Sequence, residues 1–168
     1  MLTARDKFLQ KAETVCKRND PYVWSGQGQL LRKTPIYKMA AMENTSENFQ
    51  RVAAFIYRKV SAGFDMKDCR MWDCSGLVTY LLIKLHIIPG DTTAQGLYDK
   101  YTRHKPLTDV YKGDLLFKGS DINHITHVAI YAGDNRIIHA KGRDYGVVKE
   151  LYNRSEFIAC GDPFDILW

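Results

Sequence analysis

The sequence predicts an α+β domain in which helices come first and a meander of antiparallel strands follows. Three observations point to it. Apolar residues recur at helical spacing in stretches that all lie before residue 86. After residue 113 the apolar runs shorten to strand length and begin to alternate. Glycine-acid segments punctuate those later runs, which favours turns over helix continuation. Helices grouped ahead of strands define this class, where an alternating order would define α/β.

Residues 3–18 give the first helix, with Phe8, Leu9, Ala12, Val15 and Cys16 at helical spacing. Asn19-Asp20-Pro21 ends it, because the residue before proline avoids the α region. Pro21 to Gly28 is aromatic and glycine-rich and reads as a structured loop. Residues 29–45 read as polar and irregular, with Pro35 inside. A second helix runs from Ser46, shares Phe49, Val52, Ala53, Ile56 and Val60 on one face, and stops at Gly63. Phe64 to Met71 is an irregular lead into a third helix, which Asp73 caps and which carries apolar residues to Leu85. Residues 91–112 hold turns and a short helix around Gln95 to Tyr101. About five strands follow: Asp114 to Lys118, Thr126 to Ala132, Arg136 to Ala140, Gly146 to Leu151 and Phe157 to Cys160. Gly133-Asp134-Asn135 closes a tight hairpin between the second and third of them. No repeat or linker divides the chain, so 1–168 reads as a single domain.

Composition narrows the function classes. At 45% apolar and 26% charged, the chain matches an ordinary soluble domain. Lys84 and His86 break its longest apolar run well short of the roughly eighteen residues of a membrane span. Met1 to Lys7 lacks the apolar core of a secretory signal. Synthesis in the cytoplasm is therefore expected, with any site of action outside it reached by another route. Four cysteines in 168 residues do not make a disulfide scaffold, and Cys69 and Cys74 have no second pair at zinc spacing. Neither a metal nor an organic cofactor is expected. A formal charge of +5 fits an anionic partner or simple solubility. The scattered Lys and Arg, with no zinc-finger or RNA-binding signature, give no reason to expect a nucleic-acid partner. Oligomeric state is not encoded in any pattern here.

The chemistry concentrates at Trp72-Asp73-Cys74-Ser75-Gly76. Cys74 opens a helix, where unpaired N–H groups and the positive dipole end favour a thiolate and could hold an oxyanion. On its own it could equally be an inert core cysteine. His127 begins a predicted strand, where an imidazole could serve the thiol as proton partner. Across the Gly133–Asn135 hairpin, His139 falls opposite Ala129, close enough to fix the tautomer of His127. His124 reads as a loop residue, His86 and His104 as surface or structural, and Asp114 as the anchor of a turn.

Four ordered motifs make the signal specific: Asp73-Cys74-Ser75-Gly76-Leu77-Val78, Gly113-Asp114-Leu115-Leu116-Phe117, His127-Val128-Ala129-Ile130-Tyr131 and Ile138-His139-Ala140. The series resembles the NlpC family of papain-like cysteine peptidases, many of which cut bacterial cell-wall peptides. The likeness covers roughly residues 72–140, and Pro21 to Gly26 is similar to the family's upstream Tyr-containing motif. It implies a nucleophile helix packed on a central antiparallel sheet. It also implies Cys74 as nucleophile, His127 as general base and acid, and His139 as orienting residue. Tyr22 and the Cys74 backbone N–H would form the oxyanion site, and Asp73 and Ser75 would recognise the free amino end of a stem peptide. The implied reaction is hydrolysis of an amide bond in the peptidoglycan stem peptide, next to D-glutamate as in many relatives. With no signal segment visible, such an enzyme would fit a phage or prophage lysin, a tail-associated enzyme or an effector injected into a rival cell.

One departure stands out. The family keeps its Tyr motif close before Asp-Cys-Ser-Gly, so residues 27–71 read as a helical insertion, a lid or wall over the cleft. Otherwise Tyr22 is a core aromatic, and Tyr57 or another residue takes its role. Two other functions compete: an amidase, acyltransferase or transglutaminase-like enzyme using the same triad, and a non-catalytic binding or assembly module. The intact Cys74, His127 and His139 set argues against the last.

Overall fold

The computed structural model describes residues 1–166 and shows a mixed α+β architecture. Helix α1 (Ala4–Arg18) is opened by a capping box in which Thr3 and Asp6 satisfy each other's backbone N–H groups. A short strand β1 (Gln27–Leu30) and a 3-10 turn at Leu31–Lys33 lead to α2 (Ile36–Glu43) and α3 (Ser46–Ser61). Strand β2 (Arg70–Trp72) precedes α4 (Cys74–Lys84), and α5 (Ala94–Lys100) precedes β3 (Arg103–Lys105). The remaining strands are β4 (Leu115–Gly119), β5 (Ile125–Gly133), β6 (Arg136–Gly142), β7 (Gly146–Leu151) and β8 (Ala159–Asp162).

The central sheet has six antiparallel strands in the order β3-β8-β4-β5-β6-β7, one more than the sequence suggests. The extra strand is β3, the polar tripeptide Arg103-His104-Lys105 at the sheet edge. An edge strand of three polar residues leaves no alternation to read, and such edges are often kept short and charged. A second correction concerns residues 29–45, which are not irregular: α2 lies within them. Pro35 precedes its first turn, where a missing N–H costs nothing. The 27–71 segment thus holds two helices, and its ends pair with each other as β1 and β2.

Helix α4 sits in the middle of the core. Leu77, Val78, Leu81 and Leu82 of α4 pack with Phe8, Ala12 and Val15 of α1 onto Leu115, Phe117, Val128, Ile130 and Ile138 of the sheet. The opposite sheet face carries a smaller cluster of Leu116, Ala129, Ile137, Phe157 and Cys160. Val23, Met39, Val52 and Met71 form a third cluster that fixes α2 and α3 to the β1–β2 ribbon. The β5–β6 turn holds Asp134 at φ 48° and Asn135 at φ 56°, the left-handed pair that a two-residue hairpin turn requires.

Candidate active site

One side-chain cap and three main-chain hydrogen bonds seat the start of α4. Asp73 caps the helix by accepting the Gly76 N–H at 2.6 Å. Asp73 N–H donates to the Gly26 carbonyl at 2.9 Å, while Trp72 N–H donates to the Pro21 carbonyl at 3.2 Å and Val23 N–H to the Trp72 carbonyl at 3.0 Å. A Cβ on Gly76 would stand 2.0 Å from the Gly26 oxygen, and one on Gly26 would stand 2.6 Å from Trp72 N. Both glycines are therefore needed for the loop and the helix to touch. The Trp72 indole is fully buried and donates to Asp20 at 2.8 Å.

This seating resolves the long separation between Tyr22 and Cys74 in the chain. Residues 21–23 run beside Trp72 and bring Tyr22 into the same cavity as Cys74. Cys74, His127, Tyr22, Asp73 and Ser75 all line one open cavity of about 610 Å³. Tyr57 is 73% exposed and lies away from it. The Arg143 guanidinium covers the Tyr22 ring, 5.4 Å from its centroid, and pairs with Glu43 of α2, which is almost fully buried. Arg51 of α3 lines the cavity and pairs with Asp144 in the β6–β7 turn. The 27–71 segment therefore supplies part of one cavity wall.

His139 stands behind His127, outside this cavity. His127 Nε2 and His139 Nδ1 are 2.8 Å apart, and His139 Nε2 is 2.9 Å from Glu150 Oε1. The His127 nitrogen left over is Nδ1. The Cys74 thiol donates to the Thr126 carbonyl at 3.9 Å, next to His127 in the chain. Burial, with the Asp73 carboxylate second, pushes the Cys74 thiol up to about 11, against the pull of nearby backbone N–H groups. Burial, with the neighbouring His139 second, lowers His127 to about 3. Both shifts favour the uncharged thiol and imidazole, against the thiolate that the helix terminus by itself would favour. Burial above all, then the Cys74 and Asp73 charges, raises the Tyr22 hydroxyl, which keeps it a neutral donor.

Other candidates fall elsewhere. His124 is exposed and pairs with Asp121 at 2.9 Å. His104 stacks on Tyr98 with 3.9 Å between ring centroids, and His86 is exposed. Asp114 is buried, accepts the Tyr111 N–H at 2.8 Å and pairs with Arg5 and Lys105. No group of three or more His, Cys, Asp or Glu suited to a metal ion occurs among the described residues. Sequence reading missed Glu150, Lys141, Arg143, Arg51 and Glu43. The alternation of residues 146–151 held the signal for Glu150, but only the β6–β7 register, His139 opposite Val148, turns it into a neighbour of His139.

A cysteine on a helix terminus, facing a histidine strand across an open cavity, defines the papain-like class. The chain belongs to the NlpC/P60 family, whose model matches residues 19–159. The fold is similar to the P60 domain of antigen MAP1204 from M. avium subspecies paratuberculosis, at 17% identity over 97% of this chain and 96% of that one, with a TM-score of 0.64. It is also similar to RipD of Mycobacterium tuberculosis, described as a non-catalytic domain adapted to peptidoglycan binding, at 15% identity over 96% and 98% of the two chains and a TM-score of 0.58. The peptidoglycan hydrolase RipB of Mycobacterium tuberculosis matches at 19% identity over 73% and 69%, with a TM-score of 0.50. No curated protein matches.

Proposed function

We propose that this chain is a cysteine peptidase that hydrolyses an amide bond in the stem peptide of bacterial peptidoglycan, next to D-glutamate. The observation that carries the reading is the convergence of Cys74, His127 and Tyr22 on one cavity, with His139 bonded to His127 from behind.

The chemistry follows from those positions. Cys74 Sγ attacks the carbonyl carbon while His127 Nδ1 takes the thiol proton. The Cys74 N–H and the Tyr22 hydroxyl stabilise the oxyanion. His127 returns the proton to the leaving amine as the C–N bond breaks, leaving a thioester. Water, deprotonated by His127, attacks the thioester and releases the carboxylic acid and the free thiol. Asp73 and Ser75, at the same cavity, recognise the free amino end of the stem peptide.

The test is mass spectrometry of muropeptides from purified peptidoglycan incubated with wild type and with Cys74→Ala. New fragments with wild type alone are expected, and their masses identify the bond. Binding to the wall without cleavage by wild type would instead place the chain with the binding-only members. Products that require an added amine would point to acyl transfer.

A further inference from the structure

Behind His139 lies a carboxylate for which the mechanism above has no use. Glu150 sits two residues beyond the partner of His139 on β7, on the same sheet face. Its Oε1 is 2.9 Å from His139 Nε2, and its Oε2 is 2.7 Å from Lys141 Nζ. Lys118 and Glu156 line the same recess but pair with each other at 2.6 Å.

We propose that Glu150, held by Lys141, is a positioning residue that sets the tautomers of both imidazoles and leaves His127 Nδ1 as the basic nitrogen. The proposal rests on reading Cys74 and His127 as nucleophile and base.

The argument is a chain of donors and acceptors. An ionised carboxylate accepts hydrogen bonds and donates none. Partial burial works against ionisation of Glu150, yet its bonds to Lys141 and His139 outweigh that and keep it below the usual range. His139 must therefore carry its hydrogen on Nε2 to serve Glu150. A neutral imidazole has one N–H, so His139 Nδ1 is an acceptor. The hydrogen in the 2.8 Å contact then belongs to His127 Nε2. His127 Nδ1 is left with a free lone pair, as the removal of the thiol proton requires. Without Glu150 the chain can reverse: His139 donates from Nδ1, His127 accepts at Nε2, and the His127 hydrogen moves to Nδ1. That tautomer cannot take a proton from Cys74.

Long-range 1H–15N NMR of the histidine rings reads this directly and needs no hydrolysis. Wild type should show both rings protonated at Nε2. Glu150→Ala should move His127 toward the Nδ1–H form and lower muropeptide turnover by about 100-fold, the low end of a general base's contribution. Glu150→Gln keeps an acceptor oxygen and should fall between the two. Lys141→Met leaves the carboxylate in place and should shift the ring signals least. The nearly isosteric Glu150→Gln carries the test if the Ala variant does not fold, and unchanged ring signals there would count against the proposal. A wild-type His127 protonated at Nδ1, or ring signals unchanged in Glu150→Ala, would overturn the proposal. Wild type with the expected tautomers but no wall cleavage would instead count against the proposed function alone.

Discussion

Cys74 shows how two influences on one atom compete. Its place at the start of α4 offers backbone N–H groups, yet burial and the Asp73 carboxylate outweigh them and push the thiol up to about 11. The uncharged thiol is then favoured at rest, and on the proposed reading His127 takes its proton as the sulfur attacks. We expect carbamidomethylation of Cys74 to climb steadily from pH 6 to 10 and to outpace Cys16, Cys69 and Cys160. Those three also have raised thiols, and none of them lines the site cavity. Peptide mapping after timed iodoacetamide treatment measures it, and a fast plateau below pH 7 would mean that a resting ion pair forms. The placement of Cys74 at a helix start and of His127 in a strand was legible because both signals are local. The protonation state was not, since it depends on what encloses them.

At the scale of elements, the decisive join is between the 21–28 loop and the N-terminus of α4. Gly76→Ala would drive a Cβ to 2.0 Å from the Gly26 carbonyl, so the helix start must move. Overpacking of this kind costs about 1–3 kcal/mol, read as a lower urea midpoint at unchanged slope. Activity should fall further than stability, because Cys74 rides on the displaced turn. A variant with native turnover would show that the loop yields instead of the helix. Asp73 could be read as a cap from three residues of sequence, whereas Gly26 could not be read as its support, because the contact is between distant segments. α2 was missed for another reason. Its Lys38-Met39-Ala40-Ala41-Met42-Glu43 run favours helix, but only Met39 and Glu43 are buried, so the apolar periodicity is weak. Edge strand β3 offers still less to read.

For the whole molecule, the two linked histidines make stability depend on pH. His127 is lowered to about 3, and His139 is lowered too, chiefly by burial. In the unfolded chain both titrate near 6.5. Between those values the unfolded state binds more protons than the folded one, so stability falls as pH drops. Each withheld proton costs about 1.4 kcal/mol per pH unit below the unfolded value. Urea midpoints should therefore drop between pH 7 and pH 4.5, and the drop should shrink in His127→Gln, whose side chain does not titrate. Equal drops in both proteins would place the acid sensitivity elsewhere. The order of helices before the strands of the main sheet, which carries this pair, was legible from periodicity, whereas the short β1–β2 ribbon among the helices was not. The sixth strand and the wall built by Glu43, Arg143 and Arg51 needed tertiary register.

The meeting of Gly26 and Gly76 has a consequence for how such a domain can diverge. The contact joins main chain to main chain, so what it asks of the sequence is only that no side chain intrude. Positions nearby can then change identity without moving the Cys74 sulfur. A framework anchored in this way tolerates long drift, in keeping with 17% identity to a domain of the same fold.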